Sequence, residues 1–167
     1  AVDVDEAAAS CLLHPDDDSC ARTEFIGEMP QRTVFVSAFY MDETEVTNNQ
    51  YRACVNAGEC TDLPEGSGRY RRRQYYDLPD FASYPVVWVN WQDAQDYCNW
   101  AGKRLPTEAE WEKAARGEDG RLFPWGNTFD ANLANTQDRG RENLTAVGQY
   151  PGGASPYGLL DMAGNVW

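Results

Sequence analysis

Five cysteines and a single histidine are the side chains best suited to chemistry in this 167-residue chain. Cys11 and Cys20 flank the acidic loop from Leu12 to Ser19, and Cys54 and Cys60 flank Val55-Asn56-Ala57-Gly58-Glu59. Loops this short are natural disulfide staples in an oxidising compartment. Cys11–Cys20 and Cys54–Cys60 are therefore the expected pairs. Cys98 is left over, and it either finds a partner outside these residues or stays reduced and buried. A metal site built from Cys11, His14 and Cys20 is a rival use of the first pair, but it lacks the CxxC spacing of zinc sites. Glu108, Glu110 and Glu112 could be mistaken for an acid–base set. Their positions point to helix work instead: Thr107 and Glu110 form a capping box, and Glu108 suits the positive end of the helix dipole. No residue is assigned a catalytic role.

The elements that must position these residues are few. Residues 1–30 are polar and loop-like. Gln31 to Met41 is rich in β-branched and aromatic types and reads as a strand. Thr47 with Gln50 is a capping box, so a helix should run to about Val55 and stop at Gly58. Residues 61–82 are a loop rich in Pro, Gly and Tyr, in which Arg71-Arg72-Arg73 is a solvated basic tip rather than an anion site. Tyr84 to Val89 reads as a short strand. Asn90 caps the next helix and Gly102 ends it, with Trp91, Ala94, Cys98 and Ala101 recurring as a buried stripe. Glu108 to Arg116 is a short helix ended by Gly117, with Trp111 on its apolar face. Beyond Gly117 the periodicity fades into turn-rich segments around Phe123–Asn127 and Pro151–Pro156. The expected class is α+β, with few helices and strands and much irregular loop. Such chain needs staples, ions or buried aromatics to hold it, and 6 Trp with 9 Tyr meet that need.

With 14 Lys plus Arg against 27 Asp plus Glu, the net charge is -13. That balance argues against nucleic acid as a partner, since a basic stripe is its usual footprint. It suits a solvated, cation-attracting surface. No apolar run approaches a membrane span. Ala1 to Glu6 does not read as a signal peptide.

Four segments carry a family resemblance, in order. Met41-Asp42-Glu43-Thr44-Glu45-Val46-Thr47-Asn48-Asn49-Gln50-Tyr51 is the first, and Tyr84-Pro85-Val86-Val87-Trp88-Val89-Asn90-Trp91 the second. The third runs from Tyr97 through Gly102-Lys103-Arg104-Leu105-Pro106-Thr107-Glu108-Ala109-Glu110-Trp111-Glu112 to Phe123-Pro124-Trp125-Gly126. The fourth is Gly158-Leu159-Leu160-Asp161-Met162-Ala163-Gly164-Asn165-Val166-Trp167. Together they resemble the formylglycine-generating enzyme, or sulfatase-modifying factor, family. The resemblance implies that family's fold, which is related to C-type lectin-like folds. It divides the chain into a disulfide-stapled extension over 1–30 and a family domain over 31–167, truncated at its C-terminal end.

The resemblance implies bound calcium. Asn132 and the Leu133 carbonyl match one family site; Asp161 with the Gly164 and Val166 carbonyls matches a second, whose remaining ligand is a Glu expected just after Trp167. Oxygen donors from loops are what calcium takes, although Asn132 and Asp161 could equally be turn caps. Asn165 and Trp167 match positions lining the family's active-site cleft. In the enzymes, a cysteine pair in the C-terminal part binds copper(I) and oxidises a sulfatase cysteine to formylglycine; soft thiolates suit that ion. Cys11, Cys20, Cys54 and Cys60 do not match that pair. Cys98 matches a structural cysteine whose disulfide partner lies further C-terminal. The leading expectation is a secreted, periplasmic or cell-surface module with a noncatalytic binding or structural role toward a protein or extracellular ligand. The alternative is the formylglycine-generating oxidase, with copper as cofactor only in that case. A related iron-dependent sulfoxide synthase would need a histidine cluster, and His14 is the only histidine.

Overall fold

The computed structural model describes residues 33–63, 75–136 and 143–166. Among them are three α-helices: α1 (Asn48–Asn56), α2 (Trp91–Trp100) and α3 (Glu108–Arg116). Short 3-10 turns sit at Pro79–Phe81 and Pro151–Gly153. Everything else is loop, tied by isolated bridges at Thr47–Pro85, Phe123–Gly126 and Asn135–Gly164.

All three helices start on a capping box. The Thr47 hydroxyl accepts from the Gln50 amide while the Gln50 side chain accepts from the Thr47 amide. Asn90 with Asp93 does the same for α2, and Thr107 with Glu110 for α3. Each box satisfies donors that a helix start otherwise leaves orphaned. Gly117, at φ 72°, closes α3 in a conformation that side chains other than glycine disfavour.

α1 and α2 pack against each other through stacked Tyr51 and Tyr97 rings, 5.9 Å between centroids. Around them lie Cys54, Cys60, Leu63 and Tyr76, with Val46, Val86 and Trp88 packed alongside. Two buried tyrosines have their hydroxyls satisfied by loop carbonyls: Tyr51 donates to the Thr61 carbonyl at 3.0 Å, and Tyr75 to the Pro85 carbonyl. Cys54 and Cys60 form the expected disulfide at the end of α1. Asn48 is fully buried; its amide donates to the Tyr84 carbonyl at 2.8 Å and its side chain to the Phe81 carbonyl at 3.0 Å. α1 is thus fastened to the 81–86 segment.

Four sequence expectations need correction. Residues 33–41 form no strand, and no backbone–backbone hydrogen bond involves them among the described residues. Strand propensity supplies a surface but not a partner, and here Phe35 and Tyr40 stand 90% and 106% exposed. Tyr84–Val89 is likewise no strand. Two backbone bonds tie it to the chain ahead of α1, Val86 to the Val46 carbonyl and Asn48 to the Tyr84 carbonyl, and then Trp88 at φ 67° turns the chain out of the extended region. The α2 stripe holds at Cys98 and Ala101, which pack against the core, but not at Trp91, which is 67% exposed; Tyr97 is the buried residue, because α2 offers its ring to Tyr51. On α3 the buried face carries Glu110, Ala114 and Ala115, leaving Trp111 exposed. Glu110 turns inward because Arg104 grips both of its oxygens, at 2.7 and 2.6 Å.

The turn at Pro151–Gly153 lies against Leu133. A methyl group added to Gly153 would fall 1.9 Å from the Leu133 carbonyl oxygen, and one on Gly152 2.9 Å from the Leu133 Cδ2. Arg71–Arg73, Cys11, His14 and Cys20 lie outside the described residues.

Candidate functional site

The approach to α1, the turn after α2 and the 160–166 loop enclose a cavity of about 1030 Å³. Tyr40, Glu45, Cys98, Lys103, Trp111 and Asp161 are among its walls. Its mouth carries an ion pair, Lys103 Nζ to Asp42 at 2.6 Å. That hydrogen bond holds the Lys103 ammonium above its usual range. The half-buried Cys98 thiol is free. Burial pushes its pKa up first and Asp42 adds to that, with Lys103 opposing. A thiol so placed is a poor nucleophile.

On the 160–166 loop, Asn165 is a hub. Its Oδ1 accepts from the Asn135 side chain at 3.1 Å, the Thr145 amide at 3.0 Å and the Thr145 hydroxyl at 3.3 Å. Its Nδ2 donates to Glu45 Oε2 at 3.3 Å, across 120 residues of sequence. The loop reaches this arrangement through left-handed backbone at Asp161 (φ 55°), Gly164 (φ 81°) and Asn165 (φ 65°). Asp and Asn are the side-chain-bearing types that tolerate it. Gly164 is required twice over, since a methyl group there would lie 2.5 Å from the Asn135 carbonyl oxygen.

Glu45 and Asp161 face each other within hydrogen-bonding reach. Asp161 Oδ2 accepts from the Gly148 amide at 2.6 Å. Glu45 is raised to about 8, first by burial and then by the Asp161 charge. Its Oε1 is buried with no hydrogen-bond partner, as are Asn135 Oδ1 and Thr136 Oγ1. At neutral pH Glu45 is thus the protonated member of the pair; a hard cation taking the place of that proton would find oxygen donors around it.

Asp161, Gly164 and Val166 therefore line one cavity together with Glu45, which sequence reasoning did not single out. Glu45 stands just ahead of a helix cap, and no periodicity or spacing links it to a loop so far along the chain. Asn132 and Leu133 lie elsewhere. Asn132 is exposed, and its backbone and side-chain amides both donate to Asp130 Oδ1, at 2.8 and 3.0 Å. The Leu133 carbonyl is packed on Gly153. Among the described residues no three Asp, Glu, His or Cys side chains converge. Trp167 lies outside the described residues.

Known proteins match this chain over most of its length. It is 34% identical to the formylglycine-generating enzyme of Mus musculus over 84% of the chain and 50% of that protein. It is 46% identical to the inactive C-alpha-formylglycine-generating enzyme 2 of Mus musculus, over 84% of the chain and 60% of that protein. It is also 39% identical to the serine/threonine-protein kinase pkn1 of Chlamydia caviae, over 84% of the chain and 24% of that protein. The chain spans about half the length of the curated relatives it matches. Residues 10–167 match the family described as the sulfatase-modifying factor enzyme 1-like domain, and the chain belongs to that family.

Proposed function

We propose that this chain is a noncatalytic binding or structural module built on the sulfatase-modifying factor scaffold. The observation that carries this reading is the state of its sulfurs among the described residues. Cys54 and Cys60 are joined to each other, and Cys98 is held as a thiol with its pKa raised by burial. Oxidation of a substrate cysteine at copper needs thiolates converging on one soft ion. The 46% identity to a relative named inactive supports the same reading. The test is incubation of the purified chain with a sulfatase-type cysteine peptide, copper and dioxygen. We expect no mass loss of the thiol-to-aldehyde kind. Turnover that disappears in Cys98→Ser overturns the reading.

The second reading is the formylglycine-generating oxidase, with copper supplied through cysteines of the whole protein. Its support is the 34% identity to enzymes of that name. On either reading the cleft would use Asn165 and Trp167 to position a polypeptide, and the C-type lectin-like relation would apply to the scaffold.

Both readings include calcium. Asp161 with the Gly164 and Val166 carbonyls would hold one ion, and the spare buried acceptors at this loop support it. Asn132 and the Leu133 carbonyl would hold a second. When bound, such an ion supplies charge neutralisation and loop order. The Cys54–Cys60 disulfide supports an oxidising, extracellular or periplasmic setting. No helix of the described residues is long and apolar enough to cross a membrane.

A further inference from the structure

We propose that Asn143 is an acceptor for an N-linked oligosaccharide, attached before Thr145 is locked into the folded chain. The inference rests on the oxidising, extracellular reading, because the sugar donor is met along a secretory route.

Asn143-Leu144-Thr145 is the only Asn-x-Ser/Thr triplet in the sequence, and its centre is not proline. Asn143 is exposed and stands in a bend outside the helices. A surface loop of this kind leaves a bulky, hydrated sugar in solvent. The attachment point is still well placed, since the Asn143 carbonyl accepts from the Asn135 side chain at 3.0 Å. In the transfer, the Asn143 amide nitrogen bonds to the anomeric carbon of the first sugar and gives up one proton. The bond from that carbon to a lipid-linked diphosphate breaks, and the lipid diphosphate leaves with the electron pair.

Thr145 sets the timing. Its hydroxyl donates to Asn165 Oδ1 at 3.3 Å, its amide donates to the same oxygen at 3.0 Å, and its carbonyl accepts from Asn165 Nδ2 at 3.3 Å. In the folded chain the hydroxyl that a transferase must read is already spent, and the backbone around it is held. Asn165 lies 20 residues beyond Thr145. At roughly 5–20 residues per second, the triplet is therefore open for about 1–4 s of synthesis before its lock exists.

The full chain is expressed behind a secretion leader in a eukaryotic host. The secreted and cell-retained pools are both treated with peptide-N-glycosidase and mapped by mass spectrometry. One glycan should be released, converting Asn143 to the acid. Asn143→Gln and Thr145→Val should lose the glycan, and Thr145→Ser should keep it. In a second arm, unglycosylated chain is offered to a solubilised oligosaccharyltransferase with lipid-linked oligosaccharide. The folded parent should be refused and Asn165→Ala accepted; equal rates overturn the timing. Bare Asn143 in both pools, with the Cys54–Cys60 disulfide intact, overturns the proposal and leaves the oxidising setting standing. Bare Asn143 with both cysteines open to alkylation overturns the two together.

Discussion

At the scale of single residues, charge placement is specific. Glu110 accepts from Arg104 twice and from the Thr107 amide and hydroxyl at 2.8 and 3.1 Å. Arg104 first, and the Thr107 amide next, hold its carboxyl down at about 2. A depressed carboxylate stabilises the fold above its ordinary pKa and loses that contribution as pH falls through the depressed one. The window is therefore from about 4.5 down to about 2. Glu110→Gln keeps a capping side chain but removes the charge. It should melt below the parent at neutral pH, and the two melting curves should converge across that acid window. A constant gap down to about pH 2 would assign the effect to packing.

At the scale of elements, the capping boxes carry helix starts whose interiors are short. Helices of 9 or 10 residues are marginal alone. Thr47→Ala and Thr107→Ala should each lower stability by about 1 kcal/mol in urea unfolding. Their effects should add, since the two caps share no partner. Trp91→Ser, on an exposed ring, should change it by about 0.5 kcal/mol or less. These helices were legible because Thr47, Asn90 and Thr107 each stand three positions ahead of a side chain that reaches back. The strands were not. β-branched and aromatic runs at 31–41 and 84–89 say that a surface is available, whereas a strand exists only when another segment pairs with it. The stripe of α2 was legible at Cys98 and Ala101 but not at its ends: periodicity marks Trp91 as readily as Tyr97, and only the Tyr51 ring decides between them. Of the candidate site, Asp161, Gly164 and Asn165 were legible through family resemblance, while Glu45 depends on a tertiary contact that no local pattern encodes.

At the scale of the whole molecule, the protein holds much irregular chain around a small tyrosine-rich core. Cross-links matter in such a structure because little regular pairing opposes unfolding. The Cys54–Cys60 loop is short, but Cys54 is fully buried beneath Tyr51 and Tyr97. Cys54→Ser with Cys60→Ser should cost about 2 kcal/mol by the loop-entropy relation for so short a ring. Chemical denaturation of the double variant against the oxidised parent measures it, and a difference under about 0.5 kcal/mol would show that burial rather than the cross-link holds this corner.

The Gly152–Gly153 turn has a genetic consequence. Neither glycine has a left-handed backbone requirement, so each tolerates or rejects a side chain purely through its neighbour. The obstacle at Gly152 is the Leu133 side chain, so Gly152→Ala should be suppressible by Leu133→Ala at a second site. At Gly153 the obstacle is the Leu133 backbone oxygen, which every amino acid carries. A screen for intragenic revertants of Gly153→Ala should return the glycine itself and never a change of side chain at position 133.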